Sequence, residues 1–134
     1  MSKQIQDLEK LSARKLAAAI AAKKISSVEA TEASIAKLKA AHELTNCVVT
    51  LEADEALAAA KAADAAIAKG TAKGALAGVP LAHKDMFDRA GKIASWGAKI
   101  RAEKPAVSDA TVIAKMKAAG SIQCAALHLT EFAF

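Results

Sequence analysis

The stretch Leu76-Ala-Gly-Val-Pro-Leu-Ala-His-Lys-Asp85, continued by Met86-Phe-Asp88, decides how the rest of the chain is read. Glycine and proline punctuate its start, an apolar run follows, and the run delivers a lysine and an aspartate at its end. Short, apolar and bounded by turn residues, Val79 to Lys84 predicts a β-strand. The question is what a lysine does at the end of it.

Upstream of this strand the chain reads as helix. Residues 8 to 24 space Leu8, Leu11, Leu16, Ala19 and Ile20 close to the 3.6 period, predicting a first amphipathic helix. Ser26-Ser27-Val28-Glu29 has the form of a capping box, in which hydroxyl and carboxylate satisfy free backbone N–H groups, and predicts a second helix running to about His42. Asn46 to Leu51 is short and rich in β-branched residues, as a strand requires. An alanine-rich helix follows from Glu52 to Lys69, its acidic and basic residues forming a solvated face, and Gly70 ends it.

Downstream, Gly91 to Pro105 carries glycine, proline and the single tryptophan, Trp96, and reads as a long ordered loop. Ser108-Asp109 predicts the cap of a helix through Ala119, with Val112, Ile113 and Met116 on one face and Gly120 as its stop. Ile122 to Leu127 predicts a buried strand. Strand, crossover with helix, and strand again make an α/β sheet. The whole, residues 1–134, reads as one domain, with residues 1–70 mainly helical and 76–134 forming the start of the sheet core.

Composition narrows the function. The chain has 134 residues, which allows a single core. Hydrophobic residues reach 54%, largely as alanine, while aromatics are only 3%, so the core is built from small side chains. Apolar runs are interrupted by charges well short of about twenty residues, and Met1 to Lys10 lacks the apolar core of a signal peptide. The expectation is a soluble cytoplasmic protein with no membrane partner. Cys47 and Cys124 lack C-x-x-C or Cys/His spacing and read as reduced, buried thiols, so no metal is expected. The net charge of +5 is spread over lysines interleaved with Ala and Glu at helical spacing, without stacking aromatics, which speaks against a nucleic-acid partner.

Leu76-Ala-Gly-Val-Pro-Leu-Ala-His-Lys-Asp85, Gly97, Ser108-Asp-Ala110, a helix closing on Ala118-Ala-Gly120, and Thr130-Glu-Phe-Ala133 occur in an order that resembles the beginning of the amidase signature enzymes. The resemblance covers the chain from its first helix onward. It implies an α/β fold, here the N-terminal portion of helices packed on a mixed sheet. It also implies hydrolysis of a carboxamide, a C–N bond other than a standard peptide bond, to carboxylate and amine or ammonia by a Ser/cis-Ser/Lys triad. On matching positions Lys84 is the catalytic lysine. A neutral amine in a desolvated site can take the attacking serine's proton through a bridging serine. No cofactor is implied, and the expected partner is a small-molecule amide substrate.

Two positions depart from the family pattern: Gly97-Ala98 stands where many members carry Gly-Ser, and Ala125-Ala-Leu-His128 where they carry Gly-Lys-Thr-Asn. These changes bear on substrate class more than on fold. The glycine- and serine-rich segment of the triad is expected beyond Phe134, since Ser95, Ser108 and Ser121 lack flanking glycines, so the chain reads as an incomplete amidase domain. Its strands would then leave open sheet edges that favour self-association or a complementing chain.

Without the resemblance, Lys84 followed by Asp85 reads as a solvent-facing ion pair. With it, Asp85 is expected to orient neighbouring groups, His83 to point away from Lys84 by strand alternation, and His42 and His128 to take no catalytic part. The alternative function is a catalytically inactive, truncated amidase fragment acting as an interaction module. On the enzyme reading Lys84 is buried beside polar groups in a concave site, and on the module reading it is exposed.

Overall fold

Helix and strand alternate as α1 (Ala13–Ala21), α2 (Ser27–Thr45), β1 (Val48–Leu51), α3 (Ala53–Ala68), β2 (Pro80–Lys84), α4 (Thr111–Ala118) and β3 (Ile122–Leu127). Short 3-10 turns stand at Leu8–Lys10, Lys99–Arg101 and Glu131–Ala133. The structure is a computed structural model that describes residues 8–134. Most of the segment tested for a signal peptide, residues 1–7, lies outside the described residues. The single helix expected over residues 8 to 24 is divided: Ser12 caps α1 by accepting from the Lys15 N–H, and the turn at Leu8–Lys10 precedes it.

The capping box forms as its residues dictate. Ser26 Oγ accepts from the Glu29 N–H at 3.0 Å, and the Glu29 carboxylate accepts from the Ser26 N–H at 2.8 Å. A second carboxylate, Asp64 of α3, accepts from the N–H groups of Ser27 and Val28 at 2.7 and 3.1 Å, so α3 closes the free end of α2. The Ser27 hydroxyl donates to the Gly78 carbonyl at 2.7 Å, just before β2. Gly78 has φ +77°, and a Cβ there would stand 2.9 Å from Ser27 Oγ, so this approach of helix to chain needs glycine.

The sheet has the order β1-β3-β2, with β1 antiparallel and β2 parallel to β3. As the central strand, β3 is buried along five of its six residues, which is why its sequence is apolar almost throughout. One core cluster joins Ile35 of α2 and Ala56 and Ala60 of α3 to Ile122 and Cys124 of β3, and another joins Ile20, Ala30 and Val79. Alanine lets α2 and α3 approach closely, so the small side chains that dominate the composition are the ones the packing uses.

Two further expectations are corrected. Ser108-Asp109 does not cap α4: Ala110 stands at the N-cap without a side-chain bond. Asp109 is drawn elsewhere, accepting from the Ala90 N–H at 2.8 Å and pairing with Lys117 at 2.6 Å. Cys124 is buried, and burial pushes its thiol up to about 11, whereas Cys47 is only half-buried. The loop over residues 91–106 is ordered by hydrogen bonds from Gly91 N to Ala106 O and from Ala106 N to Lys92 O, at 2.9 and 2.8 Å. Among the described residues, no helix is long and apolar enough to cross a membrane.

Candidate active site

Parallel pairing of β2 with β3 brings the carboxyl ends of both strands to one edge, where Lys84 lies opposite Leu127. In open α/β sheets this is the edge at which ligands bind. Lys84 and Ala82 are both exposed and share one face of β2 by alternation. Lys84 Nζ donates to the His128 carbonyl at 2.7 Å, just past the end of β3. The enzyme reading called for a buried amine, and within these residues the Lys84 side chain is exposed.

Asp85, next in sequence, is only 3% exposed. Its carboxylate accepts from the Ser95 N–H at 3.0 Å and from the Ser95 hydroxyl. Its backbone N–H donates to Leu127 O, and its carbonyl accepts from the Trp96 N–H, both at 3.0 Å. Ser95 Oγ also accepts from the Gly97 N–H at 3.3 Å. Phe132 N donates to Trp96 O at 2.8 Å. Gly97 has φ +70°, and a Cβ there would stand 3.0 Å from the Leu129 carbonyl oxygen. Thus Asp85 orients neighbouring groups, as the family resemblance implied, and makes no ion pair with Lys84.

His83 points away from Lys84 and is 8% exposed, as strand alternation requires. Thr50, Ala126 and His83 align across the three strands and line a recess of about 300 Å³ with Phe87, Arg89 and Lys92. Burial first, and the Arg89 charge second, hold the His83 imidazole below its ordinary value. In the lining of this recess Arg89 pairs with Glu52 at 2.6 Å, and Lys92 reaches Glu52 at 3.1 Å and, outside the lining, Glu55 at 2.7 Å. Burial alone would raise the Glu52 carboxyl, but hydrogen bonds from Arg89 and Lys92 outweigh it and hold the group below the usual glutamate value.

Sequence reasoning assigned Glu52 to a solvated helix face and missed this buried pair, because its partner lies 37 residues away. An acidic residue just ahead of a helix and an arginine after a strand end were the available signals, and neither points to the other. His42 accepts from the Val48 N–H at 3.2 Å through Nδ1, tying α2 to β1. His128 engages the site through its backbone, giving its carbonyl to Lys84 and its N–H to Cys47 O at 2.8 Å. Among the described residues no group of three or more His, Cys, Asp or Glu is placed to hold a metal ion.

Lys84, Asp85, the Ser95–Gly97 turn and the 128–132 segment thus converge at one sheet edge, which holds an amine ready to interact with oxygen. The partner of that amine is a backbone carbonyl rather than a nucleophilic side chain. Known proteins share this arrangement of elements. A family model described as Amidase matches residues 29–134. A glutamyl-tRNA(Gln) amidotransferase subunit of Burkholderia lata is 44% identical over 118 residues, covering 88% of this chain and 23% of that relative. The chain therefore spans about a quarter of the length of such curated relatives. Among solved structures, a fatty acid amide hydrolase superposes with a TM-score of 0.88 at 27% identity, covering 96% of this chain and 23% of the other. The peptide amidase of Stenotrophomonas maltophilia superposes with a TM-score of 0.78 at 26% identity, covering 90% and 25%.

Proposed function

The chain belongs to the amidase signature family, and from that premise we propose that its part in catalysis is to provide Lys84 as the general base of carboxamide hydrolysis. The observation that carries the proposal is the place of the Lys84 amine. It stands at the carboxyl edge of a parallel strand pair, tied by one bond to the His128 carbonyl, on a face open to groups from outside these residues. Exposure of Lys84 within the chain fits this role if the segment that brings the nucleophile also covers the amine.

In the proposed reaction an attacking serine adds through Oγ to the amide carbonyl carbon, and its proton passes through a cis-serine to Lys84 Nζ. The C–N bond then breaks, the leaving nitrogen takes a proton back along the same path, and water hydrolyses the resulting acyl-serine. The two serines and the oxyanion donors come from outside residues 1–134, in the same polypeptide or a complementing chain. The substrate is a small-molecule amide, the triad needs no metal or organic cofactor, and the setting is cytoplasmic. Likeness to a protein named as one subunit of an amidotransferase supports the complementing chain as partner.

A second reading, a non-catalytic interaction module, is favoured by the exposure of Lys84, which that reading expected, by the exposed Leu44, Ile100 and Val107, and by the unpaired outer edges of β1 and β2 among the described residues. One experiment separates the two. Residues 29–134 replace the matching part of the Burkholderia lata protein, and ammonia release from a carboxamide is followed. The enzyme reading expects turnover that Lys84→Ala lowers by about 10²–10⁴-fold, the usual contribution of a general base. Equal rates with and without Lys84 would sink it and leave the module reading in place.

A further inference from the structure

We infer that Asp85 is a positioning residue, whose buried carboxylate sets the Ser95–Gly97 turn and, through it, the 128–132 segment that holds the Lys84 amine. The inference rests on the reading of Lys84 as the base and adds to it a residue that acts without touching substrate.

The bonds around Asp85 form a chain of contacts. Its carboxylate is buried and lies within no ion pair among the described residues, so the Ser95 N–H and the Ser95 hydroxyl are what stabilise its charge. A buried carboxylate served by so few donors fixes those donors firmly, because releasing either leaves charge unsatisfied. Ser95, held this way, turns its Oγ to accept from the Gly97 N–H. Trp96, with φ +54°, sits in the left-handed region between them, a conformation a bulky residue keeps only when its neighbours enforce it. The Trp96 N–H reaches back to Asp85 O, and Trp96 O accepts from Phe132 N at 2.8 Å. Gly97 then packs on Leu129 O, one residue past the carbonyl that receives the Lys84 amine.

The geometry therefore has a direction. Asp85 orders Ser95, Ser95 orders the turn, and the turn packs on the segment that fixes the amine. Nothing in it requires Asp85 to exchange a proton with the reacting atoms. A carboxylate is suited to the task, since it accepts two hydrogen bonds at once and is short enough to hold them against the strand end.

The test uses Asp85→Ala, Asp85→Asn and Ser95→Ala in the 134-residue chain and in the Burkholderia lata graft. Amide hydrogen exchange is read at Ser95 and Gly97, with Ala56 and Ala60 of α3 as internal controls. Acylation of Lys84 by a succinimidyl ester is read by mass spectrometry against Lys117. In Asp85→Ala the turn amides are expected to exchange at least tenfold faster while α3 is unchanged, and Lys84 is expected to acylate several-fold faster as its carbonyl partner loosens. In the graft, kcat is expected to fall at least tenfold with KM within threefold, and Asp85→Asn, which can still accept from the Ser95 N–H, to recover part of the loss. Ser95→Ala should reproduce the effect in milder form, which keeps the test decisive if Asp85→Ala does not fold. Unchanged exchange at Ser95 and Gly97, or unchanged Lys84 acylation, would overturn the inference whatever the graft does. Equal activity of the graft with and without Lys84 would instead strike the base assignment, which the exchange data do not touch.

Discussion

Around Ile35, Ala56, Ala60, Ile122 and Cys124, small apolar side chains pack helix against sheet, whereas around Lys84 and Asp85 backbone and side-chain hydrogen bonds join a strand end to two loops. The first region buries apolar surface, a non-directional force that tolerates small adjustments. The second depends on angles and distances that one lost donor can disturb. The difference separates stability from the proposed chemistry: substitutions inside the helix-covered core should unfold the chain, and substitutions at the sheet edge should leave it folded.

The strongest way to break that comparison lies between the two regions, at the Arg89–Glu52 pair. Arg89→Met leaves the Glu52 charge buried without its closest partner and should cost about 3–5 kcal/mol, read by denaturant unfolding. A loss below about 1 kcal/mol would show that water or Lys92 compensates. Within the apolar core, Ile35→Ala removes a 6% exposed side chain between α2, α3 and β3. It should cost about 2–4 kcal/mol, with the denaturant slope unchanged.

Acid should sharpen the contrast in two windows. The His83 value is depressed in the folded chain, so the unfolded chain takes up this proton first and stability falls as pH drops below about 6.5, levelling off below the folded value. Glu52 is also depressed, so its contribution is fully present above about 4.5 and is lost as pH falls through its folded value. Thermal unfolding across pH should show the first step vanish in His83→Gln and the second shrink in Arg89→Met, the part that remains belonging to the lowered carboxyls of Glu29 and Asp109. The smallest effect is expected at the sheet edge: Lys84→Ala, with an exposed side chain, should change stability by no more than about 0.5 kcal/mol.

Local signals were the legible ones. Ser26 and Glu29 are three residues apart, and their capping box needed nothing beyond the helix it starts. Val79 to Lys84 and Ile122 to Leu127 were readable as strands because apolar runs between turn residues leave few alternatives, and the alternation of His83 and Lys84 followed from the strand itself. The sheet order was not legible, since β1 and β3 pair across more than seventy residues. The cap assigned to Asp109 failed for the same reason: a carboxylate suited to a helix start found better partners in Ala90 and Lys117. At the candidate site the lysine was visible through family resemblance, but the turn that Asp85 holds was not, because Ser95 carries no motif linking it to a residue ten positions back.

The central claim is that Lys84 takes the proton of the attacking serine, and its most direct test is trapping of the acyl-enzyme. The graft carrying residues 29–134 is mixed with a slow amide or ester substrate, quenched, and weighed by mass spectrometry. The account predicts an acyl adduct that forms with Lys84 present and does not accumulate in Lys84→Ala, although both proteins unfold at the same denaturant concentration. An adduct forming at the same rate in Lys84→Ala would contradict it and assign the base to another residue.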